Sequence, residues 1–470
     1  MTLLAHLTTL LGPAHVLTGG DAARYSHDWL GNYHWTPTAV LRPANRDEVS
    51  AALKLIHHAG ASVVPVGGNT GLTGATRAEA TLMLSLERLN HISEINPVTR
   101  TATVEAGVVL ARIHEAVADH GMIFPLLFGA RGSAMIGGNL STNAGGSNVL
   151  RYGNTRALCL GLEVVLPDGR VLDLMSALHK NNAGYDLRQL FIGAEGTLGV
   201  ITAAVLRLVP RPRAYATATL AARSLPDALA LLNRLQEATG GAVEAFEYMP
   251  GTYMQRLAEA RPDIRLPFDR RYDTNILVEI GAVSPRDAEP GPDGTIPVVA
   301  LLEATLAAMI DEGAVLDAEV AQTEAQRLAM WQRRELAAEI TVARKPSIDT
   351  DVALPLDKVP DFYDRIHARL PALDRGAETL SVCHLGDGNV HFTVFPSRDD
   401  PALHDAVVEA VEDVVQDLGG SFSAEHGVGL SKLNTMARRK DPVALDVMRA
   451  VKAALDPMNR MNPGKVIPPG

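Results

Sequence analysis

Apolar residues along the chain follow two spacings. In "RDEVSAALKLIHHAG" and "LARIHEAVADHG" they recur every three to four positions, the period of a helix with one buried face. "TRTATVEAGVVL" alternates as a strand does, and "GLEVVLPDGRVLDL" reads as two strands around a Pro-Asp-Gly turn. "SVVPVGG" and "GVITAAVLRLVP" are short continuous apolar runs, predicted to be buried strands. After "PRPR" (Pro210 to Arg213) the rhythm changes. Long helical patterns take over in "SLPDALALLNRLQEATGG", from Val298 to about Glu312 and from Glu324 to about Ala343. Between and after them come strands in "NILVEIGAV" and "IDTDVALPL", and helices in "DKVPDFYDRIHARL" and "PALHDAVVEAVEDVVQDLGG". The pattern predicts an α+β chain with a boundary near residue 212. The second half is expected to be a sheet with helices on one side. No internal repeat or low-complexity tract interrupts it.

Composition narrows the class. At 470 residues the chain exceeds one ordinary core, so two or more domains are expected. The formal charge of -11, from 43 basic and 54 acidic residues, argues against nucleic acid and anionic membranes as partners. No apolar run reaches the ~18 residues of a membrane helix. The opening "MTLLAHLTTLLGPAHVLTGG" lacks the basic leader of a signal peptide. Two distant cysteines, Cys159 and Cys383, suit a reducing, cytoplasmic setting and are too few for an iron–sulfur cluster.

Three segments depart from the core pattern. "PVGGNTGLTG" places Gly67, Gly68, Gly71 and Gly74 directly after a strand, in a spacing that is neither GxGxxG nor the Walker pattern. "GARGSAMIGGNLSTNAGG" packs six glycines among small polar residues, and "GAEGTLGVIT" follows. Such loops add little side chain to a core. They offer backbone N–H groups instead, which can cradle an anion. Three of them in ~200 residues point to a large polar ligand lying across them.

With "NVLRYGNTRALCLGLEVVLPDGRVLD", "NNAGYDLRQLFIGAEGTLGVIT", "CHLGDGNVHF", "SAEHGVG" and "LDPMNRMNPGK", these segments stand in the order found in a known family. Nearly the whole chain resembles the FAD-linked D-2-hydroxy acid dehydrogenases, the D-2-hydroxyglutarate and D-lactate dehydrogenase group of the vanillyl-alcohol oxidase superfamily. The resemblance implies an N-terminal helical segment (1–35), an FAD-binding domain (36–212), a substrate-binding cap (213–420) and a C-terminal segment returning to the flavin (421–470). It implies that FAD contacts Pro65, Gly67, Gly68, Asn69, Thr70, Gly71, Leu72 and Gly74 in the first loop. In the second it implies Gly132, Ser133, Gly137, Gly138, Asn139, Thr142, Asn143, Ala144, Gly145 and Gly146. Glu195, Gly196, Gly199, Val200 and Ile201 follow in the third, with Asn462 near the end. The first loop has no histidine or cysteine to tether a flavin, so non-covalent FAD is expected.

"VCHLGDGNVHFTV" carries chemistry of another kind. If residues 386–389 form its turn, His384 and His391 face each other across a hairpin, with Cβ atoms ~4.5–5.5 Å apart. Two imidazoles there could share one ion, or could be hydrogen-bonded core histidines; the spacing leaves both open. "SAEHGVG" adds Glu425 and His426, which could both reach one site only if the chain bends at Gly427. The resemblance assigns His384, His391 and Glu425 as ligands of a divalent metal, zinc first among the candidates. It makes His426 the general base and Arg334, in "WQRRE", the holder of the substrate carboxylate, with Arg333 its rival. Cys383 and Trp331 read as packing residues. The segment His27 to Pro37 is a weaker candidate for the flavin edge.

The substrate pocket is expected to include Arg334, Ala338, Asp349 and Thr393. D-2-hydroxyglutarate dehydrogenases carry a threonine and a lysine where this chain has Ala338 and Asp349. An acid at 349 predicts a monocarboxylic D-2-hydroxy acid. D-2-hydroxyglutarate or D-malate is the alternative, and a non-catalytic electron-relay subunit the rival of another class. The electron acceptor stays open between an electron-transfer flavoprotein, a quinone and a cytochrome, and a homodimer is the assembly considered.

Overall fold

The computed structural model describes residues 2–470. Its chain divides into two units. The first runs up to Gly145, resumes over Gly153–Pro210 and closes with Glu425–Gly470; the second comprises Gly146–Tyr152 and Arg211–Ala424.

Among the described residues the first unit holds eleven strands. β1 (Val16–Leu17), β2 (Ala39–Leu41), β4 (Leu82–Ser85) and β3 (Val63–Val66) form a sheet in the order β1-β2-β4-β3, with β2, β4 and β3 parallel. The helix Arg46–His58 makes the crossover from β2 to β3, and Asn45 caps it by accepting from the Glu48 N–H. β5 (Ile92–Asn96), β6 (Thr101–Glu105), β10 (Val200–Arg207), β8 (Cys159–Val165) and β9 (Val171–Leu174) form an antiparallel sheet in the order β5-β6-β10-β8-β9. The short strands β7 (Met122–Ile123) and β11 (Val209–Pro210) pair with each other.

The second unit is one seven-stranded antiparallel sheet, in the order β15-β12-β14-β13-β17-β18-β16. These are β12 (Ala214–Ala222), β13 (Val243–Pro250), β14 (Thr274–Ala282), β15 (Val315–Val320), β16 (Ile348–Ala353), β17 (Glu378–His384) and β18 (Asn389–Phe395). Helices Leu225–Thr239, Pro297–Asp311, Val359–Leu373 and Pro401–Asp417 cover one face around a core that includes Phe246, Val278, Phe362 and Phe392. Helices also lie on the other face, which corrects the expectation of one covered side. Gly251–Ala260, Glu324–Glu335 and Ala337–Val342 pack there through Tyr253, Met330, Trp331 and Ile340. The helix predicted to run from Glu324 to Ala343 is two helices joined at Leu336.

Candidate active site

Strand register decides which side chains share the second face of the large sheet. The hairpin turn is Leu385–Gly388, one residue earlier than expected, so His384 pairs with Asn389 and His391 with Val382. The two histidines are therefore diagonal neighbours rather than direct partners. Side chains alternate faces along a strand, so both still point to the same face. Their ring centroids are 5.4 Å apart and the planes meet at 80°. Gly388 is required in this turn: its φ is 82° and a Cβ there would meet the Leu354 carbonyl oxygen at 2.1 Å.

The same registers bring further groups to that face. Glu247 on β13 pairs with His384, Asp351 on β16 pairs with His391, and Asp349 pairs with Thr393. Glu247 is fully buried, and one carboxylate oxygen accepts from His384 Nδ1 at 2.8 Å while the other accepts from Arg334 Nε at 2.7 Å. Burial alone would push the Glu247 carboxyl up. The hydrogen-bonded His384 and Arg334 beside it outweigh that and hold it below the usual carboxylate range. Arg334 Nη1 and Nη2 donate to no group among the described residues, so the guanidinium is held by one edge and presents the other. Asp351 lies 3.6 Å from His391 Nδ1 and accepts from Asn389 Nδ2 at 2.9 Å. Asp349 accepts from the hydroxyls of Thr393 at 2.7 Å and Ser347 at 3.0 Å. Arg344 does not neutralise it; that side chain is engaged by Glu378.

Arg333 points away from Arg334, donating to the Arg265 carbonyl and to Glu319. Ala338 is exposed on the short helix Ala337–Val342. Cys383 is buried in the core of the helix-covered face, and Trp331 donates to Glu279 at 2.8 Å. Glu247 and Asp351 were not singled out from the sequence. For Glu247 the signal is a carboxylate inside a strand whose neighbours are mostly apolar and all buried; Asp351 lacks it, because its strand also holds Asp349 and Thr350 and is only partly buried.

Within the first unit the three glycine segments meet. A Cβ on Gly68 would run into the Ser133 carbonyl, so the first and second loops touch backbone to backbone. Gly196 abuts Pro65, with a virtual Cβ 3.1 Å from its Cγ. Glu195 adopts a positive φ of 50° and, although burial raises its pKa, accepts from the N–H groups of Val428 at 2.7 Å and Gly429 at 2.9 Å. Thr73 in the first loop accepts from Leu430 and Ser431. His426 therefore stands beside a turn that the first and third loops hold, with Gly427 bending the chain at a φ of 77°. Asn462 donates to the carbonyls of Ala75 and Glu195. The segment His27 to Pro37 also leans on the first loop: Asn69 donates to the His27 carbonyl at 2.8 Å and Tyr33 lies against Gly74.

These loops suit a large, polar, hydrogen-bonding ligand. Asn139 Oδ1 and Asn462 Oδ1 are buried without a partner. A Cβ at Gly71, Gly129, Gly132 or Gly138 would meet no atom within 4 Å, so the loops crowd one another on one side and are open on the other. FAD, large and rich in hydrogen-bonding groups, fits the open side and the unpartnered acceptors.

Comparison with known proteins agrees. Residues 37–175 match the model described as "FAD binding domain", and residues 211–466 match "FAD linked oxidases, C-terminal domain". The chain belongs to the FAD-linked oxidases and is an FAD-dependent oxidoreductase. Among its relatives, a D-2-hydroxyglutarate dehydrogenase of Stutzerimonas stutzeri is 34% identical over 99% of this chain and 98% of its own length. The mitochondrial D-2-hydroxyglutarate dehydrogenase of Bos taurus is 36% identical over 97% of this chain and 82% of its own. The fold is that of the vanillyl-alcohol oxidase type. The 4-ethylphenol oxidase of Gulosibacter chungangensis matches with a TM-score of 0.74 at 18% identity, covering 99% of this chain and 97% of that one. A p-cresol methylhydroxylase matches with a TM-score of 0.73 at 15% identity, covering 99% and 96%. No described helix is long and apolar enough to cross a membrane.

Proposed function

We propose that the protein oxidises a D-2-hydroxy acid to the 2-oxo acid, with non-covalent FAD and a divalent ion, zinc by preference. The observation that carries this reading is Arg334: one edge of its guanidinium is fixed on Glu247, 2.7 Å away, and the other is left to grip a carboxylate. His384 and His391 supply ring nitrogens to the ion, and centroids 5.4 Å apart suit a shared metal with bonds of ~2.0–2.1 Å. Glu425 is the third ligand. It follows directly on Ala424, whose N–H donates to Asp351 at 3.2 Å.

Arg334 binds and orients the substrate carboxylate, and His426 accepts the proton of the α-hydroxyl. A divalent ion, when held, supplies Lewis acidity towards that hydroxyl. FAD, when bound, supplies the acceptor for the α-hydrogen as hydride. Pro65–Gly74, Gly132–Gly146, Glu195–Ile201 and Asn462 hold it. The electron acceptor would be an electron-transfer flavoprotein, a quinone or a cytochrome. Two buried free thiols suit a cytoplasmic enzyme.

The preferred substrate is monocarboxylic. β16 presents Asp349 and Asp351 on the face that bears His391, so a second substrate carboxylate would meet acids there. The names of the full-length relatives favour a second reading, D-2-hydroxyglutarate. The test is anaerobic: a D-2-hydroxy acid should bleach the flavin absorbance of the purified protein while its L-isomer does not. Failure of every acid in a panel would leave the electron-relay subunit as the better description.

A further inference from the structure

We propose that Glu247 is a positioning residue that sets two parts of the site at once. It aims the Arg334 fork and fixes which nitrogen of His384 carries the proton. The inference deepens the proposed function and rests on that reading.

Glu247 is fully buried, and both of its observed bonds go to functional candidates, one on each oxygen. An ionised carboxylate only accepts hydrogen bonds. Its partners must therefore both donate. Arg334 Nε always does. A neutral His384 does so only with the proton on Nδ1, which leaves the lone pair on Nε2, the nitrogen turned away from Glu247. Metal-bound histidines are held in this way by a carboxylate behind them, which fixes tautomer and ring orientation. Here one carboxylate does this for a ligand and also braces the anion clamp.

The clamp has a second brace. Arg327, seven residues and two helical turns before Arg334, makes two bonds to Glu279, at 2.6 and 2.7 Å. Trp331 donates to the same Glu279. Glu279 pairs with Ala245, two residues from Glu247, so two buried carboxylates on adjacent strands pin one helix face at a two-turn interval. Glu279 sets where the helix lies, and Glu247 sets where its last arginine points.

An amide in place of Glu247 breaks the arrangement in a specific way. Gln offers one oxygen and an NH2 group to two donors. If the oxygen keeps Arg334, the NH2 faces His384, whose Nδ1 must then accept, and the proton moves to Nε2, where it blocks the metal. If the oxygen keeps His384, the NH2 faces Arg334 and displaces it.

The test compares wild type, Glu247→Gln and Glu247→Asp, each holding FAD as the folding control. Zinc affinity is measured by competition with a chromophoric chelator, and steady-state kinetics are measured on a D-2-hydroxy acid. Glu247→Gln should bind zinc ~10–100-fold more weakly, the range for loss of a ligand's outer partner. Its KM should rise as well, while Glu247→Asp recovers much of the zinc affinity because it keeps both acceptors. A merely structural role would lower the melting temperature and leave zinc affinity and KM alone. Glu247→Gln with wild-type zinc affinity and KM overturns the proposal. So does Glu247→Asp falling with Gln on both measures. Wild-type protein that takes up no zinc removes the metal reading and the His384 half with it, a failure seen without any substitution.

Discussion

Gly137 and Gly138 are adjacent in the helix Ile136–Thr142 of the second glycine segment, yet an alanine should do opposite things at the two positions. A Cβ at Gly137 would lie 2.7 Å from the Ala106 Cβ and 3.0 Å from the Ala106 carbonyl oxygen. Neither neighbour is the end of a flexible side chain. The Gly137 N–H donates to that same carbonyl at 2.8 Å, so the helix cannot slide off without losing the bond. Overpacking of this kind costs ~1–3 kcal/mol. At Gly138 a Cβ meets nothing within 4 Å, and helical alanine is favoured over glycine by ~0.5–1 kcal/mol. For domains of ~150–250 residues, 1 kcal/mol moves the melting temperature by ~2–4 °C. Gly137→Ala should therefore lower the melting temperature of the apo-protein by several degrees. Gly138→Ala should hold or raise it, yet weaken FAD, because its methyl group enters the open side of the loop. The assays are differential scanning fluorimetry on flavin-stripped protein and titration with FAD. If Gly138→Ala binds FAD as tightly as wild type, the cofactor does not lie against this loop and the assignment of the second segment is refuted.

Chelation should abolish turnover and leave FAD bound, because the groups assigned to the metal and to the flavin are different residues; full activity without detectable metal would refute the metal assignment. His426→Asn should retain zinc and lose ~10²–10⁴-fold in kcat, as expected for loss of a general base, and a loss of less than tenfold would point to another base. Across D-lactate, D-2-hydroxybutyrate, longer D-2-hydroxy acids, D-malate and D-2-hydroxyglutarate, kcat/KM should favour a monocarboxylate; a tenfold lead for D-2-hydroxyglutarate would sink the argument from Asp349.

The vanillyl-alcohol oxidase type of fold was legible mainly because its glycine segments are long and ordered in sequence. Periodicity found the helices and most of the strands flanking those segments. It passed over β13, "VEAFEYMP", where two glutamates interrupt the apolar run although all eight residues are buried. That strand carries Glu247, so the group bridging Arg334 and His384 stayed hidden with it. The glutamates are buried because arginine and tyrosine or histidine partners come to them from other parts of the chain, and no local pattern encodes those arrivals. Strand register was out of reach for a related reason. The turn of the histidine hairpin starts one residue earlier than its glycines suggested, and only the register of β17 on β18 reveals that the two rings meet on a diagonal.

Seven residues, Gly146–Tyr152, lie between two stretches of the first unit in sequence but belong to the second in space. Arg151 donates to Glu244 at 2.8 Å and to the Gly281 carbonyl, the Tyr152 hydroxyl reaches Glu244 at 2.5 Å, and Leu150 lies against the turn of the histidine hairpin. The second unit is therefore not a cassette that a single cut can release. A fragment beginning at Arg211 would leave Glu244 charged and buried without its partners, at ~3–5 kcal/mol. Gene fusion, domain swapping or laboratory recombination across that seam must carry the heptapeptide along, grafted or permuted.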